Sequence, residues 1–341
     1  MALINITDAD LKKSATIFRK DLLMMPVIGA QQALQHMTPM PGVAGRVCVG
    51  QLSGDIEVGP YDASREDTDG INIAPRYLET YLGSVIKKFD VNQAAKTVYG
   101  TLYAQGQELT ASSLAQQVLN YFTLKLGQGL GKVLFSASRN DAGTQTKDLF
   151  DGFDTITSKE VTAGTIAAAN GNYMTIPAIT EENALDVLFS VWENASEELR
   201  EQETKMFVTH DIWVKYNKCY RNEVGSVLYN TKMEQTFLDG TNGRCELVPL
   251  SAKSSSSYIH LTTKGNMYYG YGAGLADENV DIEKHHPFLL DYVATMYFGV
   301  QFESVSKERL MVAEFVEEED DPEVENPNPE VDPNPEVEPG E

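Results

Sequence analysis

Apolar positions recur in steps of three and four at Leu114, Val118, Phe122, Leu126, Leu130 and Val133. That spacing predicts one long amphipathic helix, capped by Thr110 and running for about seven turns at 3.6 residues each. A shorter stripe at Leu11, Ala15, Phe18 and Leu22 predicts a first helix, capped by Thr7 with Asp8 and Asp10 in its first turn, and Pro26 is expected to end it. A second long helix is expected after Thr180, with Leu185, Leu188, Trp192, Ala195 and Leu199 on its buried face and Glu193, Glu197, Glu198 and Glu201 in water. Lys205 to His210 reads as a strand and Ile212 to Arg221 as a further helix.

Elsewhere the period shortens to two. Val47 and Val49, then Ile56 and Val58, alternate with polar neighbours around a polar tip, Tyr61-Asp-Ala-Ser-Arg-Glu-Asp-Thr-Asp-Gly70, which predicts a long β-hairpin over 46–76. A strand is expected near Val85 to Val91, and Asp148 to Ile156 reads as a turn into a strand. Residues 24–45, rich in Met, Pro and Gly, read as an extended arm, and 158–176, rich in Gly, Ala, Thr and Asn, as a loose ribbon. From Phe237 to Phe302 short strands alternate with Gly-rich turns and end in an apolar run starting at Phe288.

Charge changes the picture at one end. The chain of 341 residues carries a formal charge of −23, and thirteen of its 50 acidic side chains follow Arg309, the last basic residue. The first 313 residues hold 37 acidic against 27 basic groups, without the broad basic face of a protein that grips nucleic acid through its phosphates. Residues 317–341 repeat Pro-Asn-Pro-Glu-Val loosely, a composition of proline and like charge that predicts a solvated, extended tail. Three widely spaced cysteines (Cys48, Cys219, Cys245) suggest no disulfide framework, and charged residues stand where a signal peptide needs an apolar core. These features predict a soluble intracellular product with no membrane partner.

Candidate chemistry is sparse. Gly127-Gln-Gly-Leu-Gly-Lys132 lacks the Gly and the Ser or Thr of a phosphate-binding loop, so close helix packing is the plainer reading. Gly270-Tyr-Gly-Ala-Gly274 brings its third glycine one residue early for a dinucleotide fingerprint. His285 and His286 are adjacent, which sends them to opposite faces of a strand, and His36, His210 and His260 are scattered. No catalytic, cofactor-binding or metal-binding residue is assigned, and no cofactor is expected.

The order of elements resembles the major capsid proteins of tailed bacteriophages, which share the Hong Kong 97 phage fold. The likeness is carried by Leu130-Gly-Lys-Val-Leu-Phe-Ser-Ala137 leading into Asp151-Gly-Phe153, by Met206-Phe-Val-Thr-His-Asp-Ile-Trp213, by Phe237 to Pro249, and by Lys264-Gly-Asn-Met-Tyr-Tyr-Gly270. The resemblance implies an α+β fold with an N-terminal helix and arm (1–45) and an extended hairpin loop (46–76). It further implies a peripheral domain (77–179 and 287–316) with a spine helix at 111–137, an axial domain (180–286) and a disordered tail (317–341). It implies no enzyme but a structural subunit of a phage or prophage shell, assembling with itself into pentamers and hexamers. Such a shell would enclose double-stranded DNA without reading its sequence, and would draw on a separate scaffolding protein and a portal. The implied location is the virion capsid, after assembly in the bacterial host cytoplasm. A nanocompartment shell around protein cargo is the alternative within the fold, and an enzyme or ligand-binding module with its site in 180–290 is the alternative outside it. Some family members cross-link through a loop lysine; this chain has none between Lys20 and Lys87, so no such link is expected.

Overall fold

The computed structural model describes residues 13–15, 17–50, 52–53, 72–73, 75–90, 111–224, 236–286 and 289–316. The Thr7 cap, most of the hairpin and the acidic tail lie outside the described residues.

The helices are α1 (Arg19–Gly29), α2 (Gln31–Leu34), α3 (Ala111–Val133), α4 (Phe153–Ala163), α5 (Ala184–Glu193), α6 (Glu197–Glu201) and α7 (His210–Val224). The strands are β1 (Thr38–Pro41), β2 (Gly45–Cys48), β3 (Leu52–Ser53), β4 (Asn72–Ile73), β5 (Tyr77–Asp90), β6 (Tyr173–Ile176) and β7 (Thr204–Val208). They continue with β8 (Cys245–Pro249), β9 (Tyr258–Thr263), β10 (Met267–Tyr271), β11 (Asn279–His286), β12 (Leu289–Phe302) and β13 (Leu310–Phe315).

The strands form two larger sheets. In the first, ordered β1-β10-β12-β5-β2, the fourteen-residue β12 pairs antiparallel with β5, with β10 and with β11. The second runs β6-β13-β9-β7-β8. It therefore joins β6 and β13, from either side of 180–286, to strands within that span, while β10 and β11 from that span belong to the first sheet.

Three apolar clusters follow from this layering. The face of β12, β11 and β5 that carries Tyr292, Ala294, Ile282 and Phe89 is covered by Leu22 and Leu23 of α1 and Val118 and Leu119 of α3. Between the two sheets lie Leu130, Phe135, Phe153, Phe207, Phe298, Phe302 and Val312. The far face of the second sheet buries Leu188 and Val191 of α5 and Ile212 and Tyr216 of α7. Amphipathic stripes on the helices, not helix propensity, hold them in place.

Five expectations need correction. Pro26 lies inside α1 rather than at its end; its carbonyl still accepts the amide of Ala30 at 3.1 Å, so only its own missing donor is lost. The end of the segment read as a turn into a strand and the start of the one read as a loose ribbon instead form α4, which closes at Gly164 in the left-handed region (φ 78°), while the last residues of the ribbon do form a strand, β6. The second long helix breaks in two at Asn194–Ser196, because the Ser196 hydroxyl accepts the Leu199 amide (3.3 Å) and caps a new helix. The strand placed at 85–91 is much longer and begins at Tyr77. The helix expected over 111–137 ends at Val133.

Candidate functional site

The Gly127–Gly131 stretch is a helix-packing device. A Cβ on Gly127 would stand 2.1 Å from the Pro26 carbonyl oxygen, and one on Gly29 would stand 2.6 Å from the Leu124 carbonyl oxygen. Gly131 faces Ala30, whereas Gly129 points to open space with Thr146 Oγ1 3.9 Å away. Glycines at these positions let the α1 and α3 backbones meet almost directly, which side chains would prevent. This end of α3 takes another helix against it.

Beyond α3 the chain makes a reciprocal cap. The amides of Gly152, Phe153 and Asp154 donate to the carbonyls of Ala137 (2.8 Å), Leu134 (3.3 Å) and Phe135 (3.0 Å). Carbonyls past the end of one helix and amides at the start of the next lack partners within their own helices, and here each set satisfies the other. Gly152 is required, since a Cβ there would lie 2.3 Å from the Phe135 carbonyl oxygen. Phe135 and Phe153 then enter the inter-sheet core with ring centres 5.5 Å apart, and Phe302 lies 4.9 Å from Phe153.

The root of the hairpin is pinned as firmly. Gly270 of β10 and Gly299 of β12 are cross-strand partners, and together they leave a notch without side chains. Through it passes β5: a Cβ on Gly299 would meet the Glu79 carbonyl oxygen at 2.0 Å, and one on Gly270 would meet Thr80 at 2.7 Å. The buried Thr80 hydroxyl donates to the Val43 carbonyl (3.0 Å) and accepts the Gly45 amide (3.1 Å), fastening β2 to β5. Arg76 binds Glu160 of α4 at 2.7 Å and the Phe302 carbonyl at 3.2 Å. Beyond this root only the short antiparallel pair β3–β4 of the hairpin is described.

The remaining motifs fall on separate parts of the fold. Gly270 to Gly274 leads from β10 into a turn stabilised by the buried Glu278 carboxylate, which accepts the amides of Gly274 (2.7 Å), Leu275 (3.2 Å) and Tyr297 (2.9 Å). His285 and His286 fall in β11, where the register with β12 shifts. His36, His210 and His260 sit on separate elements, and among the described residues no three His, Cys, Asp or Glu side chains are placed to hold a metal. Among the described residues no helix is long and apolar enough to cross a membrane.

One polar cluster is absent from the sequence reading. Lys253, in the turn after β8, is 1% exposed, and its Nζ donates to Asp154 Oδ1 of α4 (3.1 Å) and to His260 Nδ1 of β9 (2.9 Å). Since Nδ1 accepts, Nε2 carries the ring proton and donates to Thr157 Oγ1 (2.8 Å), whose own hydroxyl donates to the Phe153 carbonyl (2.8 Å). The ammonium also lies 4.3 Å from the centre of the Phe135 ring. Burial draws the Lys253 pKa down against the pull of Asp154, and burial with the adjacent ammonium holds His260 well below its ordinary 6.5. Lys253 sits in Ser251-Ala-Lys-Ser-Ser-Ser-Ser257, a run of small polar residues without periodicity or motif, so no sequence signal marks it.

No family model matches the chain, and no curated protein matches it in sequence. Solved structures do. A chain from the capsid of a native GTA particle superposes with a TM-score of 0.56 at 13% identity, over 84% of this chain and 91% of its own. A chain from the procapsid of satellite phage P4, solved with its size determination protein, gives 0.54 at 12% identity over 86% and 90%. The empty GTA particle gives 0.53 at 11% identity over 84% and 90%. At such identities it is the path of the backbone that matches, along nearly the full length of each partner. The chain has the fold of the phage-type capsid proteins that its sequence resembles.

Proposed function

We propose that this chain is a structural subunit of a tailed-phage or prophage capsid, building pentamers and hexamers of a closed icosahedral shell around double-stranded DNA. The observation that carries the reading is the end-to-end likeness to two kinds of phage-type capsid chain, each covered over nine-tenths or more of its length. The root of the hairpin supports it. A long loop fixed to the body at a glycine notch, by Thr80 and by Arg76, is a lever that gains buried area when a neighbour supplies it.

In this reading residues 46–76 lie across an adjacent subunit, and α3 is the spine of a peripheral domain drawn from 77–179 and 287–316. Residues 180–286 form the axial domain around the five- and six-fold axes, with β6 and β13 extending its sheet from the peripheral segments. A scaffolding protein and a portal are its partners during assembly in the host cytoplasm, and the virion capsid is its destination. The role is mechanical, not catalytic. Residues 1–313 carry a net charge of −10, which suits a wall that encloses DNA without adhering to it.

Light scattering and electron microscopy of the chain, purified and in lysates of producing cells, test this directly. Rings or closed shells carry the reading. Shells filled only with a protein cargo, or a chain that stays monomeric even in cells that also make its scaffolding protein, would sink it.

A further inference from the structure

We propose that Lys253, His260 and Asp154 form a proton-operated latch between α4 and the second sheet, which opens when His260 takes up a proton. The inference stands on the hydrogen-bond inventory of the site and does not depend on the shell reading.

The latch joins three elements. Asp154 and Thr157 come from α4, Lys253 from the turn after β8, and His260 from β9, inside the second sheet. Every polar hydrogen in the chain of contacts is committed. The ammonium faces Asp154, the Nδ1 lone pair of His260 and the Phe135 ring; Nε2–H faces Thr157; the Thr157 hydroxyl faces the Phe153 carbonyl.

A second proton on the imidazole has only Nδ1 to bind, the atom that already accepts from Lys253 at 2.9 Å. Two cations would then share one carboxylate, Asp154 Oδ1, which lies 3.1 Å from Nζ and 3.8 Å from Nδ1. His260 and Lys253 have almost no water to screen them, with exposures of 0% and 1%. Among the described residues, the charges that bear on His260 are these two, Lys253 and Asp154. The remaining neighbours of His260 are the rings of Phe135 (6.0 Å), Phe302 (5.8 Å) and Tyr258 (6.2 Å), with Phe207 and Val312 as its cross-strand partners. Among the described residues a further carboxylate on these strands is Glu314, which is bound to the Tyr173 hydroxyl. Protonation therefore drives Lys253 or His260 out of the latch and frees α4 from the second sheet.

The sign is fixed by the direction of the His260 shift. Its folded pKa lies below the unfolded value, so the unfolded or unlatched form binds more protons, and the stabilisation is complete above about pH 6.5 and is lost as pH falls below it. Full-length wild type and His260→Gln, which keeps a donor and an acceptor but cannot titrate, are compared by urea denaturation at stepped pH. The expected result is an unfolding constant that rises below pH 6.5 more steeply in the wild type, by up to about tenfold per pH unit. Other titrating groups, such as His36, contribute equally to both and drop out of the difference. Parallel curves overturn the proposal. Should the variant not fold, nitrogen-labelled histidine NMR of the wild type decides. A neutral His260 that gains its proton only as the amides of α4 and β9 lose protection supports the latch. Protonation near pH 6.5 with that protection unchanged overturns it.

Discussion

A methyl group is enough to separate glycines that pack from glycines that do not. Gly127→Ala must push the Pro26 carbonyl away, so α1 lifts from α3 and stability falls by about 1–3 kcal/mol. Gly129→Ala, two residues along the same helix, meets only a hydroxyl at van der Waals distance; by removing a helical glycine it should leave stability unchanged or raise it by up to about 1 kcal/mol. Thermal melts of the two variants side by side check the contrast, and equal losses would refute it. At Asp154 the effect is electrostatic. Asp154→Ala leaves the Lys253 ammonium buried without its counter-charge, and a loss of about 3–5 kcal/mol is expected in urea denaturation. The two sites differ in how visible they are beforehand. Glycines at 127 and 131, one helical turn apart within an apolar periodic run, announce a close approach. A lysine among serines announces nothing, because its partners arrive from 99 residues upstream and seven downstream.

Among the elements, the long stripe of α3 was legible, whereas the break between α5 and α6 and the whole of α4 were not. The six apolar positions between Leu114 and Val133 specify α3 without help. In α4 the β-branched Thr155, Ile156, Thr157, Val161 and Thr162 favour a strand, and Asp151-Gly-Phe-Asp154 reads as a turn. What makes it a helix is tertiary: the end of α3 supplies acceptors for its first amides, and its Phe153 and Ile156 have a core to enter. The hairpin root is a comparable joint. Thr80→Val keeps the shape but leaves the Val43 carbonyl and the Gly45 amide without the hydroxyl, so β2 should loosen from β5 at a cost of about 1–3 kcal/mol. Limited proteolysis would register this as faster cleavage around Gly45 to Arg76, and an unchanged rate would show that the strand pairing alone holds the root.

At the scale of the whole molecule, the sequence resemblance and the backbone path agree on the fold, although no sequence comparison reaches a relative. Packing rules tolerate nearly complete replacement of residues when pattern and volume persist, and this is why element order outlives identity. The shell reading also has a covalent corollary. Without a lysine from Lys20 to Lys87, assembled particles boiled in denaturant should run as single chains on a gel, and a ladder of linked oligomers would contradict that.

The position of β12 and β13 in their sheets carries a consequence for synthesis on the ribosome. Both are interior strands, β12 flanked by β10 and β5, and β13 by β6 and β9. Their partners include strands made roughly two hundred residues earlier, such as β5 opposite β12. Until residues 289–315 emerge, neither sheet can close, and the apolar faces of α1, α3 and α4 wait without a floor. A nascent or prematurely terminated chain thus has no finished surface to offer another copy. Quality control is built into strand order: in the shell reading, only a polypeptide that already carries residues 289–315 can compete for a place beside another copy.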